Sequence, residues 1–117
     1  MKKLFMVVGA VALLLGGSMT VRAARTYDQT IDGVQCYGSI IGDYEVMAFT
    51  ACGSTSTTVI IRSTAYDESG KAVGSGGNAG GGYASTRYAA SGIIASAIQD
   101  HEVPSYGFSK TLMVHVY

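Results

Sequence analysis

The chain has no tryptophan, three phenylalanines and a single proline in 117 residues, and only 14% of its side chains are charged. Basic residues are few and scattered, so the clustered Lys and Arg footprint of a nucleic-acid binder is missing and nucleic acid is not an expected partner. Two cysteines, Cys36 and Cys52, and two distant histidines, His101 and His115, make no metal-ligand cluster, and no Asp-x-Asp-x-Asp loop is present for calcium. No Gly-x-Ser-x-Gly elbow occurs, and Asn78 is followed by Ala-Gly, so there is no glycosylation sequon. No cofactor and no catalytic group are expected. The one long apolar run, residues 4–15, falls short of the ~20 residues that a membrane-spanning helix needs.

That run has another meaning. Lys2 and Lys3 precede it, Gly16, Gly17 and Ser18 follow it, and Val21-Arg22-Ala23 offers compact residues at the positions a signal protease reads. These zones predict a secretory signal peptide over residues 1–23, cut after Ala23 or one residue later, and a single secreted, extracellular domain over residues 24–117. The mature part keeps five basic and eight acidic side chains, a net charge of −3, and no membrane span. In an oxidising compartment the two cysteines are expected to pair, and a Cys36 to Cys52 bridge would contribute ~3 kcal/mol.

What is abundant is strand-forming sequence. Residues 34–41 and 44–52 are two runs rich in Val, Ile, Tyr, Phe and Cys, separated by Gly42-Asp43, which predicts a hairpin. Residues 57–66 are dominated by β-branched side chains that suit a pleated surface, and residues 67–71, Asp-Glu-Ser-Gly-Lys, read as a turn. Residues 74–82 hold six glycines and nothing to anchor a core, so a flexible surface loop is expected there. A phosphate cradle is disfavoured, because Tyr83-Ala84-Ser85-Thr86 follows instead of a Lys-Ser/Thr pair. Residues 89–99 fit a strand or a short helix, with Gly92 and the paired isoleucines favouring strand. In the last run Tyr106, Phe108, Leu112, Val114 and Val116 share one face, and Ser105, Ser109, Thr111 and His115 the other. Six or seven strands, with turn signals every ten residues or so, predict an all-β fold, a small antiparallel β-sandwich of immunoglobulin-like architecture. A small β-barrel is the alternative.

His101, beside Asp100 and Glu102, reads as a solvated or edge-strand histidine, and His115 likewise. The carboxylates Asp67 with Glu68 and Asp43 with Glu45 read as solvated surface charge. Tyrosine is the one enrichment: all eight tyrosines fall in the mature part. Tyrosine combines a large apolar contact area with a hydroxyl that tolerates water, so Tyr37, Tyr44, Tyr83 and Tyr88 are the candidate binding surface. The expected function is a non-enzymatic module that binds a cell-wall component or another extracellular protein. A secreted hydrolase is a further alternative, and it would need a histidine, a carboxylate and a nucleophile in one concave pocket.

The signal peptide, the Asp-x-Ser-Gly-Lys hairpin at residues 67–71 and the tail from Ala97-Ile98-Gln99-Asp100-His101-Glu102-Val103 through Phe108-Ser109-Lys110-Thr111 to Tyr117 resemble the small secreted β-sandwich proteins of Gram-positive bacteria. The lactococcin-like bacteriocins are among these. That resemblance implies an exported antibacterial activity directed at cell-wall synthesis.

Overall fold

Each strand of a layered β-protein has one face to bury and one to expose, and the alternation of apolar residues decides which is which. The computed structural model describes residues 18–21 and 25–116. Within them run β1 (Ser18–Val21), β2 (Thr26–Ile31), β3 (Val34–Ile41), β4 (Glu45–Ala51), β5 (Thr58–Tyr66), β6 (Ala72–Gly81), β7 (Tyr83–Ala89), β8 (Ser96–Val103) and β9 (Phe108–His115). A 3₁₀ turn at Pro104–Tyr106 links β8 to β9, with proline in its first turn, where a missing N–H removes no helical bond. The sheets are ordered β1-β9-β8-β5-β6 and β2-β3-β4-β7. Neighbours pair antiparallel, except that β1 lies parallel to β9. The fold is the expected β-sandwich, with nine strands among the described residues where six or seven were expected. Residues 89–99 hold no helix: an irregular link leads into β8. Of the predicted leader, only Ser18–Val21 falls within the described residues.

The core lies between the sheets. Val34, Cys36 and Ile40 from β3 and Val46 and Ala48 from β4 meet Val59, Ile61 and Ala65 from β5, Ala97 and Val103 from β8, and Leu112 and Val114 from β9. Burying each Val, Ile or Leu of this layer stabilises by ~1.5–3 kcal/mol, and the small Ala side chains let the sheets approach closely.

The glycine-rich stretch is not a loop. It is β6, paired with β5 along its whole length, with one register shift at Ala65/Tyr66. Its inward positions include Gly74, Gly76 and Gly80, and their lack of side chains makes room for β7 and its flanks to come close. A Cβ on Gly76 would sit 2.5 Å from Thr86 Oγ1 and 2.7 Å from the Tyr88 ring, and one on Gly80 would sit 2.4 Å from the Tyr83 carbonyl. A stretch with so few side chains cannot anchor a core by itself. Here the missing side chains let Tyr88 from the opposite sheet supply the packing atoms.

The expected disulfide is absent, and both thiols are free. The β3–β4 hairpin sets Cys36 opposite Thr50 and Gln35 opposite Ala51, so continuing the register places Cys52 opposite Val34. The cysteines are therefore diagonal neighbours. Such pairs are ~7–8 Å apart, beyond the ~4.4–6.8 Å that separates the Cα atoms of a disulfide. Cys36 is buried in the core, and burial pushes its thiol up to about 12.

Candidate functional site

Two polar or aromatic constellations stand out, one between the sheets and one on the outside. The inner one is built on His101. Far from being solvated, this side chain is fully buried, because β8 runs between β5 and β9 and turns alternate residues inward: Ala97, Gln99, His101 and Val103. Thr50 Oγ1 donates to the Ile60 carbonyl at 3.2 Å, which spends its only proton, so His101 Nδ1–H donates to Thr50 at 2.8 Å. His101 Nε2 is then the acceptor, and the Tyr27 hydroxyl donates to it at 2.6 Å. Tyr27 in turn accepts from the Gln99 amide nitrogen at 3.0 Å, an orientation that also brings this nitrogen to the Ala97 and Leu112 carbonyls at 3.3 Å each. The Gln99 oxygen then faces the Ser63 hydroxyl at 3.4 Å, which is 2.7 Å from Tyr88 Oη.

Gly38 permits this chain of bonds. It lies opposite Tyr27 in the β2–β3 ladder, and a Cβ there would meet the tyrosine ring at 2.7 Å. Burial lowers His101 from 6.5 to about 4, with a small opposing effect from the Phe49 backbone, so the ring is neutral at pH 7. The Tyr27 hydroxyl is raised well above its ordinary value, first by burial and then by the neighbouring Cys36 and Asp100. Among the described residues no buried side-chain nitrogen or oxygen lacks a partner. The bonds from His101 on β8 to Tyr27 on β2 and Thr50 on β4 tie the two sheets together.

The outer constellation lies on the four-stranded sheet. Three-residue spacing at the β3–β4 turn, Gly42, Asp43 and Tyr44, sets Tyr37 directly opposite Phe49. Gly42 supplies the positive φ of 63° that this turn requires. Tyr83 on β7 faces Ala51, one diagonal from Phe49. The Tyr37 and Phe49 rings stack at 4.9 Å with planes 9° apart, and Phe49 and Tyr83 meet at 5.3 Å and 36°. The three rings make a ridge across β3, β4 and β7, with Tyr83 49% exposed.

Hydrogen-bonding groups flank the ridge. Asp28 lies across from Tyr37 on β2 and accepts from Gln35 Nε2 at 2.9 Å; Ser85 lies across from Phe49; Thr26 and Ser39 share a hydroxyl contact of 2.8 Å. Further along the same face Arg87 pairs with Glu45, a contact that holds the Glu45 carboxyl below its usual range.

Of the predicted surface tyrosines, the structure brings Tyr37 and Tyr83 together through Phe49. Tyr44 stands apart, exposed in the β3–β4 turn, and Tyr88 is half-buried and points inward to Ser63. Phe49 was missed by the sequence reading; the signal available was the alternation of Glu45, Met47, Phe49 and Ala51 against Val46, Ala48 and Thr50.

A wide hollow of about 1220 Å³ lies elsewhere, lined in part by Tyr66, Asp67, Glu68, Ile93, Ile98 and His115. Asp67 is engaged there by its own turn. It accepts from the Ser69 hydroxyl and backbone N–H and from the Lys71 N–H, which holds its carboxyl below the usual range. Asp43 is 3.8 Å from Arg25 on the surface. No group of three or more metal-ligating side chains gathers among the described residues, and none of their helices is long and apolar enough to cross a membrane.

No protein-family model matches the chain, and no curated protein matches it. Among solved structures, a bromine derivative of the carbohydrate-binding module BhCBM56 is similar at 13% identity, over 72% of this chain and 89% of that one, with a TM-score of 0.41. A glycosyl hydrolase family 2 member from Bacteroides cellulosilyticus DSM 14838 is similar at 9% identity over 80% and 14%, with a TM-score of 0.37. The C-terminal domain of wzt is similar at 9% identity over 79% and 78%, with a TM-score of 0.32. Likeness at this level says nothing about ligands.

Proposed function

We propose that the chain is a secreted, non-enzymatic binding module whose ridge of Tyr37, Phe49 and Tyr83 takes up a glycan of the cell envelope. The observation that carries this reading is the ridge itself. Three aromatic rings are placed side by side on an outer sheet face, supported by pairing of β3, β4 and β7, with hydroxyl, amide and carboxylate groups around them. A sugar ring offers the matching chemistry, an apolar C–H face edged by hydroxyls. Phe49 lies between Tyr37 and Tyr83 and meets a ring on either side, so the apolar surface open to a ligand is the ring edges along the ridge together with the exposed part of Tyr83. The ridge sits on paired strands, so little ordering cost opposes binding.

The test is co-sedimentation with insoluble peptidoglycan, chitin, cellulose and β-glucan, comparing the mature chain with Phe49→Ala and Tyr83→Ala. Retention of the parent on at least one polymer, with affinity reduced about tenfold or more in each variant at unchanged fold, supports the reading; tenfold corresponds to ~1.4 kcal/mol. Failure to bind any of the four, or binding indifferent to both substitutions, overturns it.

A further inference from the structure

The flanks of the sandwich are covered differently. At one side the chain turns from β6 into β7 through Gly82, so an edge of each sheet lies against the other. At the other side the outer edge of β9 is covered by β1, with Ser18 opposite Thr111 and Val21 opposite Val114. That covering strand falls inside residues 1–23, the predicted leader. Removing β1 bares the β9 edge.

The bared edge carries few of the devices that keep strands from pairing with other chains. β9 runs eight residues without proline or glycine, its register with β8 has no bulge, and its one Lys or Arg is Lys110. Its backbone geometry accepts a further strand, as the pairing of Thr111, Leu112, Met113 and Val114 with β1 shows.

We propose that excision of the leader uncovers β9 and that the uncovered edge pairs antiparallel with β9 of a second copy, joining two sheets across a two-fold axis. A two-fold interface must be complementary to itself. An axis through Leu112 sets Thr111 against the partner's Met113 and Lys110 against the partner's Val114, so the lone lysine never faces its own copy. The inference rests on the leader reading and is independent of the glycan reading.

The experiment compares chains 24–117 and 18–117, each produced directly without leader processing, by size-exclusion chromatography with light scattering at matched concentration. Chain 24–117 is also made with Ser109→Lys and Met113→Lys, and with Met113→Lys alone, which serves if the double variant folds poorly. Twice the monomer mass for 24–117, with monomers for 18–117 and for the folded lysine variants, is the expected result. A monomeric 24–117, a dimeric 18–117, or a dimer that survives the lysines overturns the proposal. The N-terminal mass of the exported protein decides separately whether the leader is removed.

Discussion

Lowering the pH from 7.5 to 4 places a proton demand on His101 that the native sandwich resists. In the unfolded chain the imidazole takes up its proton near 6.5, whereas burial between the sheets delays uptake to about 4. The unfolded state therefore binds more protons throughout that window, and stability falls as pH falls. Above pH 6.5 the histidine is neutral in both states and contributes no slope. Between 6.5 and 4 the slope approaches one proton, about 1.4 kcal/mol per pH unit, and the accumulated loss is ~3 kcal/mol. For a domain with a total stability of ~5–15 kcal/mol this is a large fraction. Glu45 and Asp67 have lowered native values, so their contributions are lost as pH falls through those values, below the ordinary carboxylate range, at the acid end of the window and beyond. Urea unfolding followed by circular dichroism at pH 7.5, 6.5, 5.5 and 4.5 measures the effect, with His101→Gln as the comparison. The variant starts less stable at pH 7.5 because it breaks bonds to Tyr27 and Thr50. Its stability then falls less steeply than that of the parent between pH 6.5 and 5, because the proton demand of the buried imidazole is gone. Parallel curves for the two proteins across that interval would refute the assignment of His101 as a buried neutral base.

Three further outcomes are expected. Tyr27→Phe removes the donor to His101 Nε2 and the acceptor for Gln99, and unpaired buried groups of this kind cost ~1–3 kcal/mol, measured as a fall in the urea midpoint at pH 7.5. Gly76→Ala pushes a methyl into Thr86 and Tyr88 and destabilises by ~1–3 kcal/mol, whereas Gly33→Ala meets no neighbour and acts only through its positive φ; thermal unfolding of both separates packing from backbone strain. Alkylation of the native protein modifies Cys52 well before the buried Cys36, and mass spectrometry in denaturant finds two reactive thiols; a native chain that takes up no label in denaturant would restore the disulfide.

Much of the layering was legible from periodicity. In Phe108–His115 the predicted face of Phe108, Leu112 and Val114 is the buried one, whereas in Thr58–Tyr66 residue type marks the strand but not its face, since Ser63 is buried and Ile60 lies on the other side. The candidate ridge was half legible. Tyr37 and Tyr83 were singled out by chemistry, but their meeting through Phe49 depends on register, and a Gly42-Asp43 turn one residue shorter would have set Tyr37 against Ala48 instead. A slip of one residue exchanges the two faces of a strand, so neither the ridge nor the separation of Cys36 from Cys52 was available from composition.

The sequence by itself determined the all-β class, the hairpins at residues 34–52 and 57–73, and the absence of clustered charge, because these rest on local backbone preference and on counts. Only tertiary structure decided that residues 74–81 pair as strand, that His101 is buried rather than wet, and that Tyr88 points inward. The reason is common to all three. A glycine run, a histidine flanked by acids and a tyrosine on a strand each have two satisfactory environments, and the choice is made by the atoms that the opposite sheet brings within reach.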